Sequence, residues 1–196
     1  LSSDTGLLLI KEFAAKIGFT KLIKKKFKTN DKAVRFHKDA ENLLQIIYQV
    51  ISAYFQDDCA DELTLDPVFQ AILEKESLAS QPTLSRFFNR MDEDTLIQFD
   101  DIDKNLRNII YSIKWPEHVF LDLDSTLFGT YGKQEGEGFN FHYQEHGYHP
   151  LLCYDGLTGD LIKAELRDGT LYCSNGADKF MKSIFQEYLE RGINTY

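Results

Sequence analysis

Cysteine is scarce. Cys59, Cys153 and Cys173 are the three in 196 residues. An odd number without a CxxC spacing argues against a disulfide framework and against a closed structural zinc site. A reducing cytoplasm is the expected setting. No apolar run approaches the roughly 20 residues of a membrane span, and no signal peptide opens the chain, so no membrane partner is expected. Internal repeats and low-complexity segments are missing too. The first residue is Leu1 rather than Met, which points to an excised or trimmed piece of a longer protein.

What is present supports a folded body. Hydrophobic residues make up 43% and aromatics 13% of the chain, enough for a real core and too much for disorder. The net charge of -9 argues at first against nucleic acid. Its distribution says otherwise. Residues 1–38 carry ten Lys/Arg against three Asp/Glu, and the rest of the chain carries the acid excess. A basic arm on an acidic body suits local contact with a phosphate backbone, and a solvated lysine-rich loop would look the same.

Apolar periodicity divides the chain near Trp115-Pro116. Before it the spacing is helical. Leu7 to Ile10, Phe13 and Ile17 form one helix that closes at Gly18, with Asp4 or Thr5 as cap. A short basic segment follows, with Lys24, Lys25 and Lys26. Residues 39–55 predict a long helix with Leu43, Ile47, Val50 and Tyr54 on its stripe, broadened by Leu44, Ile51 and Phe55. Residues 63–73 predict another, interrupted at Asp66-Pro67. Ser80 to Thr83 opens a helix bearing Leu84, Phe87 and Phe88. Arg86 and Arg90 share a face there, as a DNA-reading helix would allow, although exposed polar positions explain them as simply. Residues 94–113 form the last helix of this region, with Leu96, Phe99, Ile102, Leu106 and Ile109 on its stripe.

Beyond residue 115 the period becomes two. Strands are expected over 119–126, 139–143, 148–154 and 161–166, with a hairpin turn at Asp155 to Gly159. A helix over 176–192 follows, and Asn194-Thr195-Tyr196 stands where a next strand would start. The expected organisation is therefore α+β. A helical domain spans 1–112, and 113–196 form the hairpin-rich first half of a second domain.

The strand over 119–126 carries the chemistry. Alternation puts Phe120, Asp122, Asp124 and Thr126 on one face. Two carboxylates there repel and resist desolvation, so either a divalent cation lies between them or the strand end is open to water. Asp122-Leu123-Asp124-Ser125-Thr126 fits the DxDxT motif of haloacid-dehalogenase-like magnesium phosphatases, with Asp122 as nucleophile. It also fits the first strand of an RNase H-like nuclease or transposase. A phosphatase of that kind expects alternating βαβ units, whereas hairpins and then a helix follow here, the β-β-β-α order of an RNase H-like fold.

Several motifs in order carry a resemblance. They are residues 78–87 (Leu78-Ala79-Ser80-Gln81-Pro82 and onward), Asp124-Ser125-Thr126, Gly132-Lys133-Gln134-Glu135-Gly136, Asn140-Phe141-His142-Tyr143, Gly147-Tyr148-His149-Pro150-Leu151 and Leu166-Arg167-Asp168-Gly169. Together they resemble bacterial insertion-sequence transposases of the DDE type, most closely the insertion-sequence group numbered thirteen-eighty. The resemblance implies an RNase H-like catalytic domain, a helical region that engages transposon ends, and cut-and-paste DNA transposition. It implies an Asp, Asp, Glu triad with two divalent metal ions, Mg²⁺ or Mn²⁺. Double-stranded DNA, as terminal inverted repeats and target, is the implied partner, with a homodimer in the complex and a location on the bacterial nucleoid. Asp124, ahead of Ser125-Thr126, matches the first catalytic aspartate, and Asp122 is the alternative. The other two carboxylates are expected beyond Tyr196, so this polypeptide alone is expected to be inactive, or to be a DNA-binding remnant.

Lesser candidates remain. Lys24, Lys25, Lys26, Arg86, Arg90, Gln134 and Asn140 are expected to contact DNA, with turn and strand-end hydrogen bonding as the alternative for the last two. Glu135 is a further residue near the metal. His142, His146 and His149 have zinc-like spacings but would not share a face. Tyr131, Tyr143, Tyr148 and Tyr154 suit base stacking or sheet packing. Arg167 suits a phosphate contact or a surface salt bridge.

Overall fold

The structure is a computed structural model that describes residues 4–196. Its backbone divides between Ile110 and Tyr111 into two compact units.

The first unit is helical. Helix α1 (Leu7–Lys16) and α2 (Phe19–Lys26) are joined by Gly18 at φ 75°, a left-handed turn that glycine adopts without strain. Neither Asp4 nor Thr5 caps α1 with its side chain. Asp4 instead accepts a 2.9 Å hydrogen bond from the Tyr54 hydroxyl. Helices α3 (Asp39–Ile51), α4 (Cys59–Leu63), α5 (Pro67–Leu73), α6 (Gln81–Phe88) and α7 (Glu93–Ile113) follow. At the start of α5, Asp66 accepts from the backbone N–H groups of Val68 and Phe69, and Pro67 occupies a first-turn position where no N–H is missed. The core gathers Ile23, Phe27, Leu43, Leu44, Phe87 and Ile102, with the Phe27 ring 5.9 Å from Phe87 and 5.1 Å from Phe99.

Helix α3 departs from its apolar pattern. It buries Asn42, Leu43, Leu44, Gln45, Tyr48 and Gln49, while Val50, Ile51 and Phe55 are exposed. The reason lies in the irregular segment between α5 and α6. The Gln45 amide donates to Ala79 O at 2.8 Å and accepts from Ala79 N at 2.9 Å. Buried backbone outside a helix or sheet needs such a partner, and no leucine supplies one. The helix also stops at Ile51, and Ala53 takes φ 65°.

The second unit holds β1 (His118–Val119), β2 (Leu121–Ser125), β3 (Phe128–Gly129), β4 (Gly138–Asn140), β5 (Glu145–Tyr148), β6 (Leu151–Asp155), β7 (Leu161–Glu165), α8 (Ala177–Arg191) and β8 (Asn194–Thr195). One antiparallel sheet runs β2-β6-β7, a second runs β3-β5-β4, and β1 pairs with β8 in parallel. The expected strand over 148–154 is split between two sheets. His149 bonds Arg167 O through its N–H, and Pro150 has no donor to continue a ladder. The expected strand over 139–143 ends at Asn140, whose side chain accepts from His142 N and Tyr143 N and turns the chain.

Leu121, Leu123 and Ser125 stand opposite Asp155, Cys153 and Leu151, the face on which Phe180, Ile184 and Tyr188 of α8 pack. Hairpin-linked antiparallel strands, one helix and a parallel return beside the first strand form an α+β arrangement of the RNase H-like kind. A doubly wound parallel sheet, which the phosphatase reading requires, is contradicted by the antiparallel β2-β6-β7 pairing.

Candidate functional site

Asp122 and Asp124 project from the face of β2 opposite α8, across from Tyr154 and Leu152. Both are exposed. One residue, Leu123, lies between them, and two strand steps place them about 6.7 Å apart along the backbone. Among the described residues β2 has one neighbouring strand, β6. On its other side the backbone bonds stop at Leu121 N, which donates to Tyr196 O at 2.8 Å, and Tyr196 N donates to Val119 O at 3.0 Å. Asp122 and Asp124 therefore lie just past the point where the parallel strand joins, on a stretch that no second strand pairs with among the described residues.

A hairpin arm braces this end of β2. The Tyr143 hydroxyl donates to Ser125 O at 3.2 Å. Asn140, 4% exposed, uses both ends of its amide within the arm's base, donating to Gly169 O at 2.9 Å as well as accepting the two turn N–H groups. A side chain at Gly169 would meet Gly147 O at 1.9 Å and Gly138 O at 2.6 Å, so three glycine backbones touch there. Arg167 is buried and is engaged inside the arm, not in a phosphate contact or a surface salt bridge. Its Nε donates to His149 O at 2.9 Å and its Nη1 to Asn175 O at 2.6 Å. His149 is buried as well and donates through Nδ1 to Leu171 O at 2.8 Å. His146 pairs with Glu137, so the three histidines do not converge. Asn140, Tyr143, Arg167 and Gly169 thus hold the arm. Of these, Gly169 entered the sequence reading only within the motif Leu166-Arg167-Asp168-Gly169.

The donor set suits a hard cation. Mg²⁺ keeps several waters and is commonly held by one or two carboxylates. Two exposed aspartates on one face meet that requirement. Among the described residues, however, no three His, Cys, Asp or Glu gather as a complete ligand group.

The basic candidates separate into free and engaged groups. Lys24 and Lys25 are exposed on α2, as are Arg86 on α6 and Gln134 in the turn before β4. Lys26 pairs with Asp101 at 2.6 Å. Arg90, 14% exposed, pairs with Asp39 at 2.8 Å and lies 3.5 Å from Asp31. Burial pushes the Asp39 carboxyl up, but hydrogen bonds from Thr29 and Arg90 outweigh it and leave the group below its ordinary range. Asp31 is lowered by the Ala33 N–H and by Arg35. Both carboxylates are thus spent on holding the loop between α2 and α3.

No helix among the described residues is long and apolar enough to cross a membrane. Neither curated proteins nor solved structures gave a match to the chain. A family model described as "Transposase DDE domain group 1" matches residues 1–196. Transposases of this family act on DNA and generally use divalent metal ions. The chain belongs to the DDE transposase family.

Proposed function

We propose that this chain acts in the metal-dependent cleavage and joining of DNA at the ends of an insertion sequence, with Asp124 as the first carboxylate of the active site and Asp122 beside it. The observation that carries the reading is the pair of exposed aspartates on one face of β2, just past the point where the parallel strand β8 joins. When bound, a divalent cation would polarise the scissile phosphate and acidify an attacking water or 3′-hydroxyl. Asp124 would supply an oxygen ligand, and Asp122 would hold it or a coordinated water. Further carboxylates of the triad would join from a strand beside β2. The helical unit, through Lys24, Lys25 and Arg86, would hold terminal inverted repeats, with two copies serving paired ends. Lys26, Arg90 and Asn140 would order the surfaces around these contacts, their side chains being engaged within the protein.

Manganese titration of the 196-residue chain, followed by electron paramagnetic resonance, tests the assignment. The wild type should immobilise Mn²⁺, Asp124→Asn should abolish this, and Asp122→Asn should weaken it. Equal binding by all three would refute it. Because no third ligand gathers here among the described residues, the chain should not nick supercoiled DNA. Nicking that depends on Asp124 would show that these residues suffice for catalysis.

A further inference from the structure

The loop between α2 and α3 is built like a tool. Its base is clamped where the Thr29 N–H and hydroxyl both donate to Asp39, at 2.9 and 2.7 Å. Its near side is tied to α7. The Lys28 N–H donates to Gln98 at 2.8 Å and the Asn30 amide to Asp92 at 2.6 Å. Inside it, Asp31 accepts from Ala33 N and from Arg35, and Arg90 closes on Asp31 and Asp39. Its far side is held by Lys75, which donates to Phe36 O at 3.1 Å, pairs with Glu41, and lies 4.8 Å from the Phe36 ring centroid. A loop with this many anchors has little entropy left to lose on binding.

The rigid tip it presents is apolar. Val34 is fully exposed and Phe36 is 74% exposed. Neither side chain stabilises the fold by burial. Cations flank the tip on both sides. One adjoining cleft is lined by Lys24, Lys28, Arg35 and Lys38, and the other by Arg35, Arg86 and Arg90. The acids in these clefts, Asp31 and Asp39, are matched by Arg35 and Arg90, which leaves Lys24, Lys28 and Lys38 on one side and Arg86 on the other to face an anion.

An apolar ridge between two cationic channels is complementary to one duplex feature in particular. In the minor groove a phosphate backbone runs along each side, and an inserted apolar side chain unstacks a base step and bends the duplex. We propose that Val34 and Phe36 form a wedge that enters the minor groove of double-stranded DNA, with Lys28 and Arg86 on the flanking phosphates. This rests on the DNA substrate of the transposase reading but not on the carboxylate site.

The test uses the whole chain, at low salt, with an A·T-rich 20-base-pair duplex that carries 2-aminopurine and end-labels for energy transfer. Wild type should bind, raise the 2-aminopurine signal and shorten the end-to-end distance. The double variant Val34→Ser with Phe36→Ser should melt within a few degrees of wild type, the loss being the Lys75 contact on the exposed Phe36 ring. It should bind at least about ten-fold more weakly, without unstacking or bending. The slope of log affinity against log salt should not change. Lys28→Gln and Arg86→Gln should each flatten that slope by roughly one. A double serine variant that binds and unstacks like wild type overturns the wedge while leaving the transposase reading intact. Failure of the wild type to bind duplex overturns both the wedge and the DNA-binding role of this unit. Self-association that the serine changes abolish, with DNA binding unaffected, would assign the tip to a second copy and also overturn the proposal.

Discussion

Gly169→Ala should unfasten the arm beside the carboxylate strand. A methyl group there would lie 1.9 Å from Gly147 O, 2.6 Å from Gly138 O and 2.9 Å from Gly138 N. All three are main-chain atoms, so no side chain can swing away. Ordinary overpacking costs about 1–3 kcal/mol, and relief here requires separating β4 and β5 from the 167–170 turn. That movement also strains the buried Asn140 bond to Gly169 O, whose loss costs about another 1 kcal/mol or more. A total of about 3 kcal/mol follows, on the order of 10–20 °C in melting temperature for a unit of this size. Gly156→Ala is the internal control. Its methyl would meet Phe120 O at 3.6 Å and Asp122 Cβ at 3.8 Å, ordinary contact distances, so a change within about 1 kcal/mol is expected. The single tryptophan, Trp115, lies in the same unit and reports its unfolding by fluorescence. Coincident melting of Gly169→Ala and wild type would refute the packing at this junction.

Other consequences are simpler to state. Gln45→Ala leaves the N–H and C=O of Ala79 buried without their partner, and helix ellipticity in urea should report a loss of about 2–4 kcal/mol. Asp66→Ala removes the cap of α5 and should cost about 1 kcal/mol in the same measurement. Asp39 and Glu41 both have folded-state pKa values below their ordinary ones: burial raises each, but hydrogen bonds from Thr29 and Arg90, and from Lys75 and the Lys38 N–H, outweigh it. A depressed carboxylate contributes stability that is present above its unfolded pKa and is lost as pH falls through the folded value. The helical unit should therefore weaken below about pH 4, and Asp39→Asn should make that decline shallower.

The sequence was most readable where local chemistry and tertiary packing agree. Helix α8 begins and ends at glycines, Gly176 and Gly192, both with positive φ, so its expected bounds nearly coincide with the observed ones. The face of α3 was not readable, because its partner is the bare backbone of Ala79, which calls for Gln45, and a hydrophobic pattern cannot represent that need. The arm was readable in part. Turn and strand-end hydrogen bonding was one of the two readings of Asn140, and the structure gives it that role, but the strand expected over 139–143 ends there because the same amide turns the chain and braces Gly169. Val34 and Phe36 gave no signal in the sequence, since two apolar residues among lysines look like ordinary loop until their exposure and the anchoring around them are known.

The two aspartates of β2 bear on the choice of residue as well as of charge. Leu121 packs on the cluster under α8, so the opposite face of the strand could carry any polar pair at little cost to packing. Two acids of one sign there, with no basic side chain opposite them at Leu152 and Tyr154, repel each other and gain nothing from the sheet. A cation drawn between them would relieve that repulsion. The Mn²⁺ titration therefore discriminates: under the proposal Asp124→Asn and Asp122→Asn lower the affinity unequally, whereas a merely solvated pair would hold no ion in any of the three proteins.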